Sequence, residues 1–503
     1  MYYRKLVAIP ALLLGTLSAE AQSLADAYNL SNLTVQGTAR SMGFGNALGS
    51  VGADFSTLSV NPAGIGVYRS SEFTLTPSLR INGAEGQYIA GKTADNNVNF
   101  NINNFGMVFT SAPKGKRYER RSWKAVSFGF GMNRVADFNR RYSYNGVNNT
   151  SSATQAFESD ANQYNTTDLD LPGYIGYQAY LLNQDTGNRW VTSVPFAGGI
   201  NQMKNVRESG RINEYTLSLG GNYKERLMLG ATVGLTDLRY RRRSLYTESL
   251  ATGNNAPNPY GFNWFSYNQA VDLEGGGANL KIGAIYKITN FFRIGAAFHT
   301  PTIYGISDTY VPEVRSSHNN NLRVLDIGNE LLAQNNFNYS FASPWRGILS
   351  ATFIVKGLGF ITADYEYVDY ASMSYMYPED YSYDESVMNS TISSTYQGTS
   401  NFRLGAEALL TKYFMARAGF GYYGNPYKVG GGDAQRMDFS AGLGFHFENF
   451  FTDVAVVHSR WQMVEQPYNI DFNYVYSGPS AMLPSAAIDL KSTNIAWTIG
   501  MKF

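Results

Sequence analysis

Hydrophobic and polar side chains alternate strictly over the last nine residues of the chain. In an extended strand, successive side chains point to opposite faces. One face of this segment therefore carries Ile495, Trp497, Ile499, Met501 and Phe503, and the other carries Ala496, Thr498, Gly500 and Lys502. A strand with one face suited to lipid and one suited to water is typical of a transmembrane β-barrel. The alternative is the edge strand of a soluble β-sandwich.

The same alternation recurs in about fourteen segments from Glu72 to the end of the chain. They cover residues 72–81, 98–110, 124–138, 211–223, 226–240, 273–287, 291–305, 345–355, 358–370, 402–410, 413–423, 436–447, 450–461 and 493–503. Single-chain bacterial barrels have an even number of strands of about this length. The pattern predicts an all-β fold, a transmembrane antiparallel β-barrel of about fourteen strands.

The connections between these segments alternate between tight and long. Residues 223–226, 356–357 and 448–449 form tight connections, whereas the intervening ones are long and rich in Asn, Ser, Gly and Tyr. Outer-membrane barrels have short periplasmic turns and long external loops. The pattern therefore predicts that both termini are periplasmic and that the longest loop, residues 139–210, faces outward.

The first 70 residues do not follow the strand pattern. Arg4 and Lys5 precede an apolar run of about a dozen residues, shorter than the roughly 20 that cross a bilayer as a helix, and the small residues Ala19 and Ala21 follow. This arrangement predicts a signal peptide over residues 1–21. Residues 22–70 are rich in small side chains and predict a hatch, or plug, inside the lumen of the barrel formed by residues 71–503.

Composition narrows the functional classes. The formal net charge is +1, which argues against nucleic-acid binding through a basic surface, and the chain has no cysteine. Among the 4 histidines, His458 lies beside Ser459, but neighbouring residues on a strand point to opposite faces and cannot form a catalytic pair. We expect neither an enzyme nor a cofactor or metal site.

The run Ala53-Asp-Phe-Ser-Thr-Leu-Ser-Val-Asn-Pro-Ala-Gly-Ile65 resembles the amino-terminal signature of the FadL/TodX/OmpP1 family of outer-membrane transporters for hydrophobic compounds. The resemblance extends over the barrel and is to a divergent branch. It implies that Asn61, Pro62 and Ala63 belong to a hatch plugging a fourteen-stranded barrel in the outer membrane of a Gram-negative bacterium.

The resemblance also implies a function and partners. Members of the family capture an apolar ligand, such as a long-chain fatty acid or a hydrocarbon, in the outer loops and pass it to a lumenal site. They then release it sideways beside a kinked third strand. The expected partners are a hydrophobic small molecule, outer-membrane lipid and the barrel assembly machinery. The alternative is a barrel that serves protein secretion as a type IX surface-protein shuttle, with a secretion-system partner, or a structural outer-membrane protein.

Residues can be assigned to each step of this mechanism. Ligand capture is assigned to an apolar and aromatic cluster in the long loop, whose alternative role is to cap the barrel: Leu169, Leu171, Tyr174, Ile175, Tyr177, Tyr180 and Leu181. Arg403 and Arg417 are the cationic candidates for a ligand head group, although pairing with Glu407 is the alternative. The lateral gate is assigned to Gly129, Gly131, Asn133 and Arg134, because the strand phase would aim Arg134 at lipid unless a kink or bulge intervenes. The alternative is that Arg134 reaches the outer head groups by snorkelling.

Overall fold

The computed structural model describes residues 24–113, 115–164, 171–326, 336–428, 432–478, 480 and 482–503. The predicted signal peptide lies outside these residues. Within them, one antiparallel sheet of fourteen wall strands closes on itself, because the last strand pairs with the first from Glu72↔Lys502 to Tyr88↔Ala486. The predicted transmembrane antiparallel barrel is confirmed.

Each wall strand lies within a few residues of a predicted segment at its tight-turn end. The bounds are β1 Glu72–Tyr88, β2 Gly91–Ser111, β3 Trp123–Asp137 continued by Arg140–Asn148, β4 Ile200–Tyr223, β5 Leu227–Leu250, β6 Phe262–Lys287, β7 Phe292–His299 continued by Ile303–His318, β8 Asn336–Ala342 continued by Arg346–Val355, β9 Gly359–Asp369, β10 Gly398–Leu409, β11 Phe414–Tyr423, β12 Arg436–Phe447, β13 Phe450–Glu465 and β14 Ala486–Lys502. We call the end of the barrel with the tight turns the turn end and the opposite end the loop end.

Helices occur inside the barrel and in its connections. The α-helices are α1 Leu24–Ser31, α2 Ala39–Gly43, α3 Lys116–Arg120, α4 Thr154–Tyr164, α5 Leu171–Gln178 and α6 Ser382–Thr395, and short 3-10 turns include Phe55–Ser59 and Pro62–Val67. None of the helices in the described ranges is long and apolar enough to cross a membrane.

The wall strands expose their apolar face and bury their polar face. On β14, Trp497 and Met501 are 50% and 51% exposed, whereas Ala496 and Thr498 are fully buried. The same alternation holds on β10, where Phe402 and Leu404 are exposed and Arg403 is buried. The exposed apolar side chains form a belt around the barrel, as lipid contact requires, and closure pairs the backbone groups that lipid could not satisfy.

The strands extend further toward the loop end than the sequence pattern predicts. β4 begins at Ile200 and β6 at Phe262, about ten residues before their predicted starts. These extensions carry polar side chains on both faces, so they lack the apolar face on which the prediction relied. The predicted outer loop of residues 139–210 is therefore wrong in extent, because it contains strand segments at both ends.

Two strands are interrupted by proline. β7 was expected to be continuous over residues 291–305 but breaks at Pro301, and β8 breaks at Pro344. Proline has no N–H to donate to the sheet, so it weakens strand pairing at these positions. Both breaks face the upper part of the hatch, near Leu33 and Val35.

Residues 24–69 lie inside the barrel. Ala39, Leu48, Leu58 and Ile65 are fully buried against the inner wall. We refer to residues 24–69 as the hatch. It fills the lumen from the turn end, where Pro62–Val67 packs on β4 and β5, to the level of α1 near the loop end.

Candidate functional site

The Asn-Pro-Ala motif attaches the hatch to the wall. The Asn61 side chain accepts a hydrogen bond from the Ala63 backbone N–H at 3.1 Å, which caps the 3-10 turn beginning at Pro62. Its Nδ2 donates to the Gly49 carbonyl oxygen at 2.6 Å and to that of Ala296 in β7 at 3.3 Å. One side chain thus joins two hatch segments and a wall strand.

Glycines in the wall make this close approach possible. A Cβ on Gly283 of β6 would lie 1.8 Å from Asn61 Oδ1, and one on Gly230 of β5 would lie 2.3 Å from the Pro62 carbonyl oxygen. A Cβ atom cannot lie so close to another heavy atom. The hatch motif therefore packs directly on the backbone of the wall at these two glycines.

Replacing Gly230 by Ala is expected to displace the hatch while the barrel still assembles. The added methyl group meets a backbone oxygen, which cannot rotate away, and overpacking of this kind costs about 1–3 kcal/mol. Limited proteolysis of the purified protein in detergent should then cleave the hatch faster, with heat-modifiable migration on gels retained. The matched control is Gly305→Ala, since Gly305 has no neighbouring atom within 4 Å of its Cβ position. Equal cleavage of the two variants would contradict this role for Gly230.

Charged side chains in the lumen are paired with one another and with the hatch. Arg417 of β11 is fully buried and donates to Glu407 and to Asp453, both at 2.6 Å. Arg40 of the hatch reaches the same Glu407 at 3.1 Å. Arg417 thus has the carboxylate partner that the sequence analysis gave as the alternative. A head-group role for Arg417 stays a prediction, and a ligand would have to compete with two carboxylates.

The second candidate, Arg403, lies one strand away and has a freer side chain. It donates to Glu366 at 3.2 Å and approaches Asp364 at 3.6 Å. Its Nε and Nη2 have no hydrogen-bond partner among the described residues. Asp364 in turn accepts the Gly49 backbone N–H of the hatch at 3.1 Å. Arg403 is therefore the better placed of the two predicted head-group residues.

A small cavity lies beside Arg403, between the hatch and the wall. Its volume is about 60 Å³, and its lining includes His299, Arg346, Glu366 and the Glu214–Lys281 ion pair. Arg346 donates to the Leu33 carbonyl oxygen at 2.9 Å and so holds the hatch at this level. A space of this size accommodates a few water molecules. An apolar ligand would need the hatch to move.

An aromatic cup surrounds α1 above this cavity. We use this name for the tyrosine-rich cluster at the loop end of the lumen, which includes Tyr240, Tyr304, Tyr310, Tyr339, Phe341, Tyr370, Tyr375, Tyr396 and Tyr427. Tyr28 of α1 lies 5.5 Å from the Tyr370 ring and 5.8 Å from the Tyr427 ring, measured between centroids. The sequence analysis missed this cup, because its members come from strand extensions and loops distant in sequence.

The third strand leaves the wall halfway along its length. β2 and β3 pair only from Ser111↔Val126 to Asn104↔Asn133. Beyond Asn133, β3 loses its pairing with β2 and keeps its pairing with β4, and its register shifts between Arg134 and Ala136. The continuation Arg140–Asn148 folds against the inner face of the β1–β2 hairpin, where the Ser143 carbonyl oxygen meets Thr93. We call this interruption the strand break.

The hatch covers the free edge of β3 at the strand break. The Gln36 backbone N–H donates to the Arg134 carbonyl oxygen, and the Thr34 backbone N–H donates to that of Val135, both at 2.8 Å. Asn133 donates to Ser59 Oγ of the hatch at 2.9 Å. The bulge expected near Arg134 is thus present, and Arg134 itself is 92% buried and does not point at lipid. The snorkelling alternative for Arg134 is therefore wrong.

A polar cluster fills the strand break. Arg134 pairs with Asp137 at 3.5 Å and donates to Asn101 of β2, and Asn101 also donates to Asp137 at 2.7 Å. Asn99 reaches Asp137 at 3.3 Å, and Asn104 donates to Asn133 at 2.9 Å. The sequence analysis missed the β2 asparagines, although the alternation of Asn and apolar residues from Asn97 to Asn103 was a visible signal. The roles of Gly129, Gly131, Asn133 and Arg134 in a gate stay predictions.

The predicted capture residues lie in different surroundings. Ile175 and Leu181 are fully buried in a core formed by the outer loops, together with Phe157 and Phe265. Tyr177 and Tyr180 are each 46% exposed. The remaining members are Tyr174, which is half-buried, Leu171, which begins α5, and Leu169, which lies outside the described residues. Capture by the exposed tyrosines stays a prediction, whereas the buried pair packs as the capping alternative describes.

Comparison with known proteins gives a likeness of fold. No family model and no curated protein matches this chain. Among solved structures, it is similar to the crystal structure of a Pseudomonas aeruginosa FadL homologue, at a TM-score of 0.55 and 13% identity, over 94% of this chain and 99% of that chain. The chain has the FadL fold. The crystal structure of the Pseudomonas putida toluene transporter TodX is also similar, at a TM-score of 0.50 and 11% identity over 93% of this chain and 98% of that one.

Across the described ranges, no three histidine, aspartate or glutamate side chains come together in a way that could hold a metal ion. The charged groups of the lumen form ion pairs with one another and hydrogen bonds with the hatch backbone.

Proposed function

We propose that this protein transports hydrophobic small molecules, of the long-chain fatty acid or hydrocarbon class, across the outer membrane of a Gram-negative bacterium, with both termini in the periplasm. The observation that carries the proposal is the strand break, where β3 leaves β2 and the hatch covers the exposed edge. Unpaired strand edges are poorly tolerated in a membrane, so a break in the wall destabilises the barrel. We infer that the break is kept because it serves as a passage. The fold shared with the FadL homologue and TodX supports the same function.

Capture takes place at the loop end. Tyr177 and Tyr180 present aromatic surface on the outer loops, with Tyr177 against Trp190 at 5.3 Å between ring centroids and Tyr180 under the Arg323 guanidinium at 4.4 Å. The loop core holding Ile175 and Leu181 supports both tyrosines from below. An apolar molecule that binds there loses contact with water before it reaches the barrel.

The aromatic cup is the lumenal site. Its rings present apolar surface, and its hydroxyl groups can form hydrogen bonds. The cup therefore suits a ligand that has an apolar body and a polar end. The present occupant of the cup is α1, tied to it by the Tyr396 hydroxyl, which donates to the Leu24 carbonyl oxygen at 2.6 Å. The ligand displaces this helix, and Arg403 lies below to receive a carboxylate.

Release is lateral, through the strand break. An apolar chain pushed through an aqueous pore would lose about 0.8 kcal/mol for each exposed CH₂ group, whereas a side exit leads directly into lipid. The polar cluster around Arg134 and Asp137 closes this exit at rest. Withdrawal of the Thr34–Gln36 segment from the β3 edge opens it.

A disulfide between Gln36→Cys and Arg134→Cys is expected to block uptake. These residues are directly opposed in an antiparallel bridge, which brings their Cα atoms into the range that a disulfide spans. Gly131 is unsuitable because a Cβ there would lie 2.2 Å from the Phe105 carbonyl oxygen. Cells carrying the oxidised variant should take up radiolabelled oleate and toluene at the background rate. Reduction with dithiothreitol should restore uptake to the rate of the single variant Arg134→Cys, which lacks the same guanidinium group.

The matched control is a disulfide between Ala418→Cys and Ala441→Cys, which face each other on β11 and β12 away from the strand break. Uptake by this variant should not respond to oxidation. Since the native chain has no cysteine, each disulfide is the only one present. Full uptake by the verified oxidised Gln36–Arg134 variant would exclude lateral release, and a lack of uptake by the unmodified protein would exclude the transport function itself.

A further inference from the structure

Five arginines form a patch on the outer wall of the barrel, which we call the arginine patch. They lie on β4 and β5 and project away from the lumen: Arg207, Arg211, Arg239, Arg241 and Arg243. The exposed fractions of the Arg241 and Arg243 side chains are 56% and 45%. The patch lies close to the apolar belt, whose members Tyr215 and Leu235 are 50% and 48% exposed, and only the Asn213↔Asp237 pair separates them from Arg211 and Arg239.

The register of the sheet sets arginines directly opposite one another. Arg207 faces Arg243, and Arg211 faces Arg239. On the other side of β4, Arg207 also faces Arg141 of β3. Like charges at directly opposed positions destabilise a sheet. Three such pairs in one place therefore require neighbouring anions to balance the positive charge.

Carboxylates within the sheet neutralise part of this charge. Arg243 pairs with Asp272 at 2.6 Å, Arg241 with Glu274 at 3.4 Å, and Arg211 with Asp237 at 3.6 Å. Five arginines and three carboxylates leave a net charge of +2 on the patch. Within the described part of the chain, no ion pair engages the two remaining guanidinium groups.

Those two groups belong to Arg207 and Arg239. Both side chains are exposed and stand on adjacent strands, on either side of the paired Arg211, Arg241 and Arg243. The guanidinium group offers a planar fork of N–H donors that matches phosphate oxygens in a bidentate way. Arg207 lies opposite Arg243, four residues along β5 from Arg239, so the two phosphate-binding positions are about 13 Å apart along the strands.

We propose that the arginine patch binds a lipid of the outer leaflet that carries phosphate groups on its head group. A lipid meets both halves of this surface, because its acyl chains lie against the belt at Leu217 and Leu235 while its phosphates reach Arg207 and Arg239. A soluble phosphate would contact only the arginines and leave the apolar belt unused. The occupant is thus a lipid whose head group carries two phosphates. Its placement in the outer leaflet rests on the proposed orientation of the barrel, and the site lies on the opposite face of the wall from the proposed lumenal route.

The test is binding of lipid A to the purified full-length protein in dodecyl maltoside, followed by native mass spectrometry and by fluorescence titration. Diphosphorylated lipid A is the probe, with dephosphorylated lipid A and inorganic pyrophosphate as comparisons. The double variant Arg207→Ala/Arg239→Ala should bind diphosphorylated lipid A at least about tenfold more weakly, because it loses two charge-assisted contacts. The control Lys224→Ala/Arg226→Ala removes the same charge at the turn end and should bind like the unmodified protein.

Each result decides the proposal. Weaker binding by the patch variant alone, together with loss of binding when lipid A is dephosphorylated, supports a phosphorylated lipid. Equal binding of the two lipid forms would show that the phosphates are not recognised. Pyrophosphate binding as tight as that of lipid A would show that the ligand is a soluble phosphate and not a lipid. Equal weakening in both double variants would show a general charge effect and overturn the site.

Discussion

Deletion of Trp497–Phe503 is expected to abolish assembly of the barrel. These residues pair with β1 over Glu72–Leu75 and with β13 over Phe450–Val454, so their loss removes the closing contacts on both sides at the turn end. Two open edges then face lipid, where each unsatisfied backbone group costs several kcal/mol. The truncated protein should lose heat-modifiable migration on gels and accumulate as a protease-sensitive form.

A point variant distinguishes the contribution of backbone pairing to assembly from that of the Trp497 side chain. Trp497→Ala keeps every ladder hydrogen bond of β14 but removes one half-exposed ring and its hydrogen bond to Thr452 at 2.7 Å. It should assemble, with a modest loss of stability. Heat-modifiable migration of the truncated protein would show that residues 486–496 of β14 are enough to close the barrel.

The strands could be predicted where one face meets lipid. On β10, the alternation of Phe402, Arg403 and Leu404 gave both the strand and its orientation, because the membrane separates the two faces. On β4, the extension over residues 200–210 carries polar residues on both faces, so periodicity gave no signal. Hydrogen bonding to β3 and β5 forms this part of the strand, and such pairing depends on the tertiary structure.

The sequence indicated where the strand break lies but not how the hatch pairs with it. The phase of β3 placed an irregularity near Arg134, because a lipid-facing arginine is costly. The sequence did not indicate that Gln36 of the hatch would pair with the exposed edge, since 98 residues separate the two positions. Similarly, the Asn61 motif was recognised as part of a hatch, but its seat on Gly230 and Gly283 depends on which strands the closed barrel brings together.

Replacing Arg417 by Met is expected to lower the free energy of unfolding by about 3–5 kcal/mol. Arg417 is fully buried and joins Glu407 to Asp453 across β10, β11 and β13. After the substitution, Glu407 keeps Arg40 of the hatch, but Asp453 keeps only His446 at 3.5 Å. A buried carboxylate that has lost its guanidinium partner is strongly destabilising, so the barrel should unfold at a lower urea concentration. Urea unfolding in lipid vesicles, followed by tryptophan fluorescence, measures the effect.

Two further variants test the cause. Arg315→Met removes an arginine whose side chain is 54% exposed and paired with Glu313, and exposed pairs contribute about 0–1 kcal/mol. The triple variant Arg417→Met/Glu407→Gln/Asp453→Asn removes the charges together and should recover most of the lost stability, because amides tolerate burial better than unpaired carboxylates. If the triple variant is as unstable as Arg417→Met, packing of the long side chain matters more than its charge. In that case Arg417 would stabilise the barrel mainly by filling space in the lumen, and its charge would contribute little.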